Sequence, residues 1–365
     1  MKNIACAVDL GSTTIDSCLF EIGSGRVVAE NSKKNRQSLY GSDVINRILN
    51  ASRSKEIREK LTDIVRTQLK EMLFESLDAS GLDISCIERI CISGNTTMIS
   101  LLLGMDVASM GVAPFNHELK DSVTALYEGI TVYLTGCVSA FIGGDILSGI
   151  AYLEHNDDKP FSSDKNVFFI DLGTNGEMIL NAGGKLYACS TACGPAFEGC
   201  TRKQGVYGSS VIDVIAMLIK AKRITGEGVI EEPFFDTGID VNNIHIDMDI
   251  LRSILMAKSA IYTGIITLAR RAGIQVCDIE KIYIAGGFGF YLNLDNAMYI
   301  GLLPKEFKGK ISVVGNTSLK GAMDIIKNES VKELDAYANG RIKLISLAED
   351  EDYKTGLINN MIFGE

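Results

Sequence analysis

The sequence has few of the residues from which many metal and catalytic sites are built. Its 365 residues include three histidines, which stand singly in polar contexts, without the spacing of a metal-ligand set or of a serine–histidine triad. No C-x₂-C pair occurs, and no G-x-x-x-x-G-K-[ST] motif is present. The second absence excludes a P-loop, so a phosphate site in this chain must be built differently.

Long apolar stretches and an excess of positive charge are also missing. No apolar run reaches the roughly 18 residues of a membrane-spanning helix, and the first residues lead into a predicted strand instead of a signal peptide. The net charge of −10 argues against nucleic acid or an anionic membrane as a general partner. The nine cysteines lie mostly in apolar strands and near glycines, which is typical of free thiols in a reducing, cytoplasmic location.

The composition is that of a globular protein with a sizeable core. Hydrophobic residues make up 46% and charged residues 22% of the chain, and 365 residues suffice for two domains. The polar segment 154–166, which contains one of only five prolines, is the expected boundary. We therefore predict a first lobe over residues 1–155 and a second lobe over 156–365, with an insertion near 224–250.

One stretch with an acidic turn occurs twice in the chain. Residues 167–180 read VFFIDLGTNGEMIL: a strand buried on both faces, Asp171, a turn of small residues, and a second strand. Residues 4–20, IACAVDLGSTTIDSCLF, repeat that order around Asp9. Small residues in a tight turn bring backbone N–H groups close to a ligand and leave room for a phosphate. Two such loops facing each other would grip a polyphosphate from both sides.

A second repeat indicates that the whole chain is duplicated. Residues 81–94 read GLDISCIERICISG and residues 273–286 read GIQVCDIEKIYIAG, each after an amphipathic helix and each ending in a strand with a terminal glycine. Parallel strands need helical crossovers, and ligands bind outside the carboxyl ends of such strands. We therefore predict a duplicated α/β fold whose two halves close over a cleft.

The aspartates and short polar side chains of the two turns suit a magnesium–phosphate site. One carboxylate of the pair Asp9 and Asp171 would hold Mg²⁺, mostly through water, and the other would orient the attacking water or hydroxyl. The alternative is that both aspartates only cap turns and that the neighbouring side chains satisfy the backbone of their own turns. Phosphate oxygens would accept hydrogen bonds from Ser12, Thr13, Thr174 and Asn175.

A glycine-rich loop, Ala285–Gly289, follows the strand of the second repeat. Its glycines let a flat base lie against the backbone with Phe288 packed behind it, whereas the alternative is a close-packed turn from strand to helix. Lys258, on the preceding helix, would reach a ribose or phosphate, although an exposed helix lysine is the commoner case. Asp145 and Glu198 each stand among glycines and are candidates for the same site.

Three cysteines lie close together in the second half of the sequence: Cys189, Cys193 and Cys200. Their C-x₃-C-x₆-C spacing leaves a metal site open as an alternative. The favoured interpretation is small buried residues beside a glycine turn. We therefore expect no iron–sulfur cluster in this chain.

The motifs together resemble those of a known superfamily. DLGSTT, DLGTNGE and IAGGFG are similar to the phosphate-1, phosphate-2 and adenosine loops of acetate and sugar kinases, heat-shock chaperones and actin (ASKHA), and GCVSAFIGGD and VGNTSLKGA are similar to the helices that connect the halves. More narrowly, nearly the whole chain resembles the ATPase part of the reductive activators of corrinoid proteins. The segments that carry this narrower resemblance include YGSDVINRI, SGNTTMISLLLG, CSTACGPAFEG, MAKSAI and GGFGFYLN.

The resemblance implies ATP and Mg²⁺ as ligands of an actin-like ATPase fold. Asp9, Asp145 and Asp171 would carry catalysis, and Asp9 and Asp171 would also hold the metal ion, mostly through water. The residues that would bind the nucleotide lie in the loops around these carboxylates: Gly11, Ser12, Thr13, Thr14, Gly173, Thr174, Asn175, Gly194, Glu198, Lys258, Gly286, Gly287 and Phe288.

The implied activity is an ATP-dependent return of a Co(II) corrinoid to Co(I) on a corrinoid protein or a corrinoid-dependent methyltransferase. Activators of this kind typically carry an iron–sulfur domain, often an N-terminal ferredoxin-like one, whereas this chain begins at the ATPase and has no ferredoxin cysteine run. A separate ferredoxin-type protein is therefore expected to supply the electrons. The alternatives are a small-molecule kinase of the same fold and a nucleotide-switched binding ATPase without a redox role. A homodimer is open as the assembly.

Overall fold

The chain folds into two compact units. The computed structural model describes residues 3–41, 43–173, 175–192 and 208–364. The first unit comprises Met1–Pro160 together with Thr317–Ile342, and the second comprises Phe161–Asn316 together with Lys343–Glu365.

The first unit is built on a sheet of six strands: β1 (Ile4–Leu10), β2 (Thr14–Glu21), β3 (Val27–Lys34), β4 (Ile87–Gly94), β5 (Val123–Tyr127) and β6 (Ile130–Leu134). Their spatial order is β3-β2-β1-β4-β6-β5. β1, β4 and β6 are parallel, whereas β2, β3 and β5 pair antiparallel with their neighbours. The carboxyl ends of three parallel strands therefore meet at one edge of this sheet.

The first four helices belong to the first unit: α1 (Val44–Ala51), α2 (Lys55–Ser80), α3 (Thr96–Leu103) and α4 (Gly144–Asn156). α2 begins where the Ser54 side chain accepts a hydrogen bond from the Ile57 N–H, and it ends at Gly81, whose φ of 63° suits glycine. After β1, the antiparallel strands β2 and β3 follow in the chain. α2 then forms the crossover to β4, which is parallel to β1.

The second unit repeats this arrangement with its own sheet: β7 (Val167–Leu172), β8 (Gly176–Ala182), β9 (Lys185–Thr191), β12 (Lys281–Ala285), β13 (Ile311–Gly315) and β14 (Ile342–Leu344), together with a separate hairpin of β10 (Ile239–Val241) and β11 (Ile244–Ile246). The order in the main sheet is β13-β12-β7-β8-β9-β14. β7, β12 and β13 are parallel.

The remaining helices are α5 (Gly208–Lys220), α6 (Met248–Ala272), α7 (Gly287–Phe290), α8 (Leu294–Tyr299), α9 (Thr317–Asn328), α10 (Val331–Ala336) and α11 (Glu351–Asn359). α6 begins at its Asp247 cap and ends at Gly273, where φ is 81°. It forms the crossover that leads to β12, as α2 does for β4. α9 and α10 belong to the first unit, where α9 packs on α4.

The strand orders confirm the predicted duplication. The series β3-β2-β1-β4-β6 in one sheet has the same order and directions as β9-β8-β7-β12-β13 in the other. The glycines that end α2 and α6, Gly81 and Gly273, occupy equivalent places in the two copies. The predicted insertion near 224–250 contains the β10–β11 hairpin.

Three predicted boundaries differ from the structure. The small and apolar residues over 138–153 predict one helix, whereas α4 begins at Gly144, because the Ser139 hydroxyl accepts hydrogen bonds from the Phe141 and Ile142 N–H groups and holds a turn there. The predicted second lobe, 156–365, does not allow for the return of Thr317–Ile342 to the first unit, and the break between units falls after Pro160. The sequence predicts a short third strand over Val27–Ala29, whereas β3 runs to Lys34 because it pairs with β2 from Thr14 to Phe20.

Each unit has its own apolar core. In the first, alternate residues of β1 from Ile4 to Leu10 belong to the same buried apolar cluster as residues of α2 and α3. In the second, β7, β8 and β12 bury their residues against α5 and α6. α6 is long and apolar enough to cross a membrane by length and composition alone, but 67% of that stretch is buried inside the protein, as in the core helix of a globular domain.

Candidate functional site

The first glycine loop, Gly11–Thr13, is held from behind by three hydrogen bonds to its carbonyl oxygens. The Asn35 side-chain amide donates to the Gly11 carbonyl at 2.9 Å, and the Asn35 N–H donates to the Thr13 carbonyl at 2.8 Å. The Arg47 guanidinium donates to the Ser12 carbonyl at 2.8 Å. All three carbonyl groups of the loop therefore point towards the protein.

This arrangement turns the N–H groups of the loop to the opposite side. In a planar trans peptide, the carbonyl and the following N–H point in opposite directions. The N–H groups of Ser12 and Thr13 therefore point away from the protein interior, as in backbone concavities that bind anions. Gly11 makes the turn possible, because a Cβ there would lie 2.5 Å from the Thr14 carbonyl oxygen. Ser12 and Thr13 are half-buried and Thr14 is exposed, so predicted phosphate-binding residues lie at the surface.

Asp9, at the end of β1, is joined to a row of buried hydroxyl groups. The Ser318 hydroxyl donates to Asp9 Oδ1 at 2.7 Å and lies 3.0 Å from the hydroxyl oxygen of Ser93. Ser93 faces Asp9 across the β1–β4 pair, and its hydroxyl lies 2.8 Å from that of Ser148 on α4. Asp9 is thereby held at the carboxyl edge of the parallel strands, where ligands bind in folds of this kind.

Asp145 lies in the first turn of α4, beside the same group. The Ser93 hydroxyl donates to the Gly144 carbonyl at 3.1 Å, and the Ile146 N–H donates to Asp145 Oδ1 at 2.9 Å. Burial raises the pKa of Asp145 to about 6. A carboxyl group with such a pKa can change its protonation near neutral pH, which is typical of functional sites. Asp9 and Asp145, which were predicted separately, are thus brought to one end of the first unit.

Arg47 is a residue that motif-based reasoning missed. Its side chain is completely buried, and burial lowers its pKa to about 10, so the guanidinium keeps its charge at neutral pH. The spacing of Val44, Arg47, Ile48 and Ala51 places position 47 on the core-facing side of α1. A charged residue at a core position of an amphipathic helix was the signal that could have found it.

In the second unit, Asp171 lies at the end of β7 and pairs across the sheet with Glu177 on one side and Ala285 on the other. The turn after it is closed by the Gly173 N–H, which donates to the Asn175 carbonyl at 3.0 Å. Asp171, Gly173 and Asn175 are all half-buried. Thr174 lies outside the described residues.

The glycine-rich loop packs directly against this acidic turn. Gly286 has a φ of 88°, and a Cβ there would lie 2.6 Å from Asp171 Oδ1. Its N–H donates to the Gly315 carbonyl at 3.3 Å, which fixes the loop over the ends of β12 and β13. Gly287 opens α7 with no atom within 4 Å of the place where a Cβ would stand, while Phe288 packs on the core. The second unit thus joins the predicted phosphate-2 and adenosine loops.

Lys258 lies inside the second unit and is not an exposed helix lysine, so that alternative is wrong. Its side chain is buried, and its Nζ donates to the carbonyl of Ile362. Burial lowers the pKa of the Lys258 amine to about 8. Contact with a ribose or phosphate stays a prediction.

Cys189 is a buried thiol beside a methionine. Its Sγ lies 3.9 Å from Met178 Sδ, and burial raises the pKa of the thiol. Over the stretches of chain that the structure describes, no group of three or more histidine, cysteine, aspartate or glutamate side chains is placed to hold a metal ion. Four predicted residues lie outside the described residues: Cys193, Gly194, Glu198 and Cys200.

The two matching sheets, each with an Asp–Leu–Gly turn at the carboxyl edge of its parallel strands, define an ASKHA fold of the actin type. Comparison with protein families specifies the class further. The RACo middle region matches residues 4–158, and the C-terminal domain of RACo, described as the ASKHA domain, matches residues 165–207 and 200–365. The chain therefore belongs to the RACo family.

The descriptions of two curated relatives agree with this family. The corrinoid activation enzyme RamQ of Eubacterium limosum is 30% identical to this chain, over 98% of this chain and 70% of RamQ. The "[Co(II) methylated amine-specific corrinoid protein] reductase" of Methanosarcina barkeri is 25% identical, over 68% of this chain and 57% of that protein.

A solved structure agrees with these relatives. The structure of a reductive activator for corrinoid, iron–sulfur protein matches with a TM-score of 0.87 and 28% identity, over 99% of this chain and 66% of that one. The chain thus spans about two thirds of the length of that activator.

Proposed function

We propose that this protein couples ATP hydrolysis to the reductive activation of a corrinoid protein. The observation that carries the proposal is the RACo family match, which includes both Asp–Leu–Gly loops. The partner would be a corrinoid protein or a corrinoid-dependent methyltransferase whose cobalt has been oxidised to Co(II). The names of the curated relatives, which refer to corrinoid activation and to a corrinoid protein reductase, support this choice of partner.

Donor groups within each unit support a magnesium nucleotide as the proposed ligand. The first loop turns backbone N–H groups outward beside Asp9, and Asp171 lies against the open glycine loop of the second unit. Mg²⁺ is usually held by one or two carboxylates, phosphate oxygens and several waters, so Asp9 and Asp171 would suffice. The ion would neutralise charge on the phosphates.

Within this proposal the protein's residues bind and orient. The N–H groups of Ser12 and Thr13 would donate to phosphate oxygens, and Gly287 would leave room for the adenosine. Asp171 would orient the attacking water at the γ-phosphate. Asp145, whose pKa is about 6, would exchange a proton with the solvent near that site.

The redox step requires a partner for the electron. One electron would pass from a ferredoxin-type iron–sulfur protein to the corrinoid and reduce Co(II) to Co(I), while ATP and water give ADP and phosphate. We place the reaction in the cytoplasm, since the described cysteines are free thiols and such thiols are typical of reducing compartments. We also propose that the protein forms a homodimer.

The variant Asp171→Asn separates the binding of ATP from its hydrolysis. We expect the variant to bind ATP with a Kd close to that of the wild type but to hydrolyse it at least ~10²-fold more slowly, as the loss of a water-positioning carboxylate should cause. Binding is measured by calorimetry and hydrolysis by phosphate release. Asp236→Asn, at an exposed aspartate of the same unit, is the matched control and should change neither quantity.

If Asp171→Asn hydrolyses ATP at the same rate as the wild type, Asp171 has no role in the hydrolysis. The same assay distinguishes the kinase alternative. Strong stimulation of ATP consumption by a sugar or a short-chain carboxylate, with a phosphorylated product, would identify a small-molecule kinase instead of an activator.

A further inference from the structure

A buried positive charge lies directly behind the first glycine loop. Arg47 Nη2 donates to two backbone carbonyls, that of Ser12 at 2.8 Å and that of Gly41 at 3.0 Å. Arg47 Nη1 lies 2.9 Å from Met98 Sδ, and Nε has no hydrogen-bond partner. The guanidinium is therefore surrounded by neutral acceptors.

In the part of the chain that the structure describes, no aspartate or glutamate forms an ion pair within 4.0 Å of the Arg47 guanidinium, and the attraction of Asp43 offsets only part of the cost of burial. The carboxylate of Asp43 interacts with the guanidinium electrostatically. Its hydrogen bonds cap α1: it accepts one from the Asn46 N–H at 2.8 Å and one from the Asn46 side-chain amide at 2.6 Å. A buried charge without a counter-ion costs free energy, and packing alone does not require it.

The hydrogen bond to Ser12 transmits this charge to the outer side of the loop. The Ser12 carbonyl belongs to the same peptide as the Thr13 N–H, which points to the opposite side. A cation bonded to the carbonyl polarises that peptide and strengthens the N–H as a donor. Because the guanidinium is buried, its field acts through the protein interior, and salt screens it little.

We propose that Arg47 is a positioning residue that makes the first loop selective for a polyphosphate. It does not touch the ligand; it fixes the Ser12–Thr13 peptide and supplies the positive charge that an anion on the outer side compensates. The ligand class is a nucleoside di- or triphosphate, as opposed to the uncharged nucleoside. The inference rests on the proposed ATP site and adds to it the residue that selects for the phosphates.

The test compares ATP and adenosine in binding to the full chain, by calorimetry or equilibrium dialysis. For Arg47→Gln we expect the Kd of ATP to rise about 10²-fold and the Kd of adenosine to change less than about threefold, because only the phosphates interact with the charge. Arg47→Lys keeps the charge and should restore ATP binding to within about tenfold of the wild type.

Arg66→Gln is the matched control. Its guanidinium also donates to a backbone carbonyl, that of Leu102 at 2.9 Å, in the same unit but away from the loop. This variant should leave both dissociation constants unchanged. The control therefore separates loss of an arginine–carbonyl bond from loss of charge behind the loop.

The outcomes distinguish the inference from the proposed function. If the wild type does not bind ATP, the ATP site itself is wrong. If the wild type binds ATP and Arg47→Gln raises both constants equally, or neither, Arg47 is only a structural anchor and the inference is overturned. If Arg47→Gln does not fold, Arg47→Lys decides: loss of ATP binding in a folded lysine variant contradicts a role for the charge.

Discussion

Asp145 and Arg47 have in common that burial works against their charged forms. Burial raises the pKa of Asp145 and lowers that of Arg47, so each keeps its charge at neutral pH at the expense of stability. Arg47 bonds to the first loop at Ser12, and Asp145 follows Gly144, whose carbonyl accepts a hydrogen bond from Ser93, the strand neighbour of Asp9. Residues retained at such a cost are typical of binding and catalytic sites.

Asp145→Asn should therefore stabilise the protein and impair its activity. The pKa in the folded chain, about 6, lies above the ordinary value of 3.8, so the stability tied to this group is full at low pH and is lost as the pH rises through 6. We expect the variant to exceed the wild type by about 1–3 kcal/mol in free energy of unfolding at pH 8, and by less at pH 5. Urea unfolding at both pH values measures this difference.

Asp158→Asn, at an exposed aspartate of the same unit, is the control and should change the free energy of unfolding by less than about 0.5 kcal/mol. In ATP hydrolysis, the acidic limb of the pH profile near pH 6 should disappear with Asp145→Asn. A destabilised variant at pH 8, or an unchanged limb, would show that Asp145 is not a strained carboxylate of the site.

At the scale of elements, α9 and α4 pack closely through small residues. Gly321 on α9 lies so near Ser148 on α4 that a Cβ there would stand 2.7 Å from the Ser148 Cβ and would overlap its backbone. The same pair of helices carries Ser318 and Ser148, the hydroxyls that lead to Asp9. Close packing thus positions Asp9, a carboxylate of the proposed site.

Gly321→Ala should consequently cost about 1–3 kcal/mol of unfolding free energy, because an added methyl group forces the two helices apart. Lys327→Ala, at an exposed position of α9, should cost less than about 0.5 kcal/mol. Chemical denaturation of the two variants side by side gives the comparison. Equal stability of both variants would mean that the helices separate without cost and do not hold Asp9 in place.

The strands, turns and helices agree with the sequence prediction in some places and differ in others. The repeated order of strand, acidic turn and glycine-ended strand was sufficient to predict the duplicated α/β fold and to place Asp9 and Asp171 in turns at the ends of strands, because period and turn chemistry are local properties. The start of α4 was missed, since a serine side chain in the turn before it outweighed the apolar pattern. The spacing of α1 places Arg47 at a core-facing position, but its acceptors, the carbonyls of Ser12 and Gly41, become evident only in the fold.

At the scale of the whole molecule, the chain enters the first unit twice. Residues 317–342 return to it after the second unit, although the sequence predicted one boundary and two consecutive lobes. The repeats are local and symmetric, and they say nothing about which core a later helix joins; that choice depends on the fit between α9 and α4. Each unit therefore depends on segments that are distant in sequence.

The central claim is that ATP consumption by this chain drives one-electron reduction of a corrinoid. Visible absorbance of a Co(II) corrinoid protein partner, recorded without oxygen in the presence of a reduced ferredoxin-type protein, tests it most directly. The account predicts conversion to Co(I) only when the wild-type protein and Mg·ATP are both present, and no conversion with Asp171→Asn. Conversion at the same rate without ATP, or ATP hydrolysis with the cobalt remaining Co(II), would contradict it.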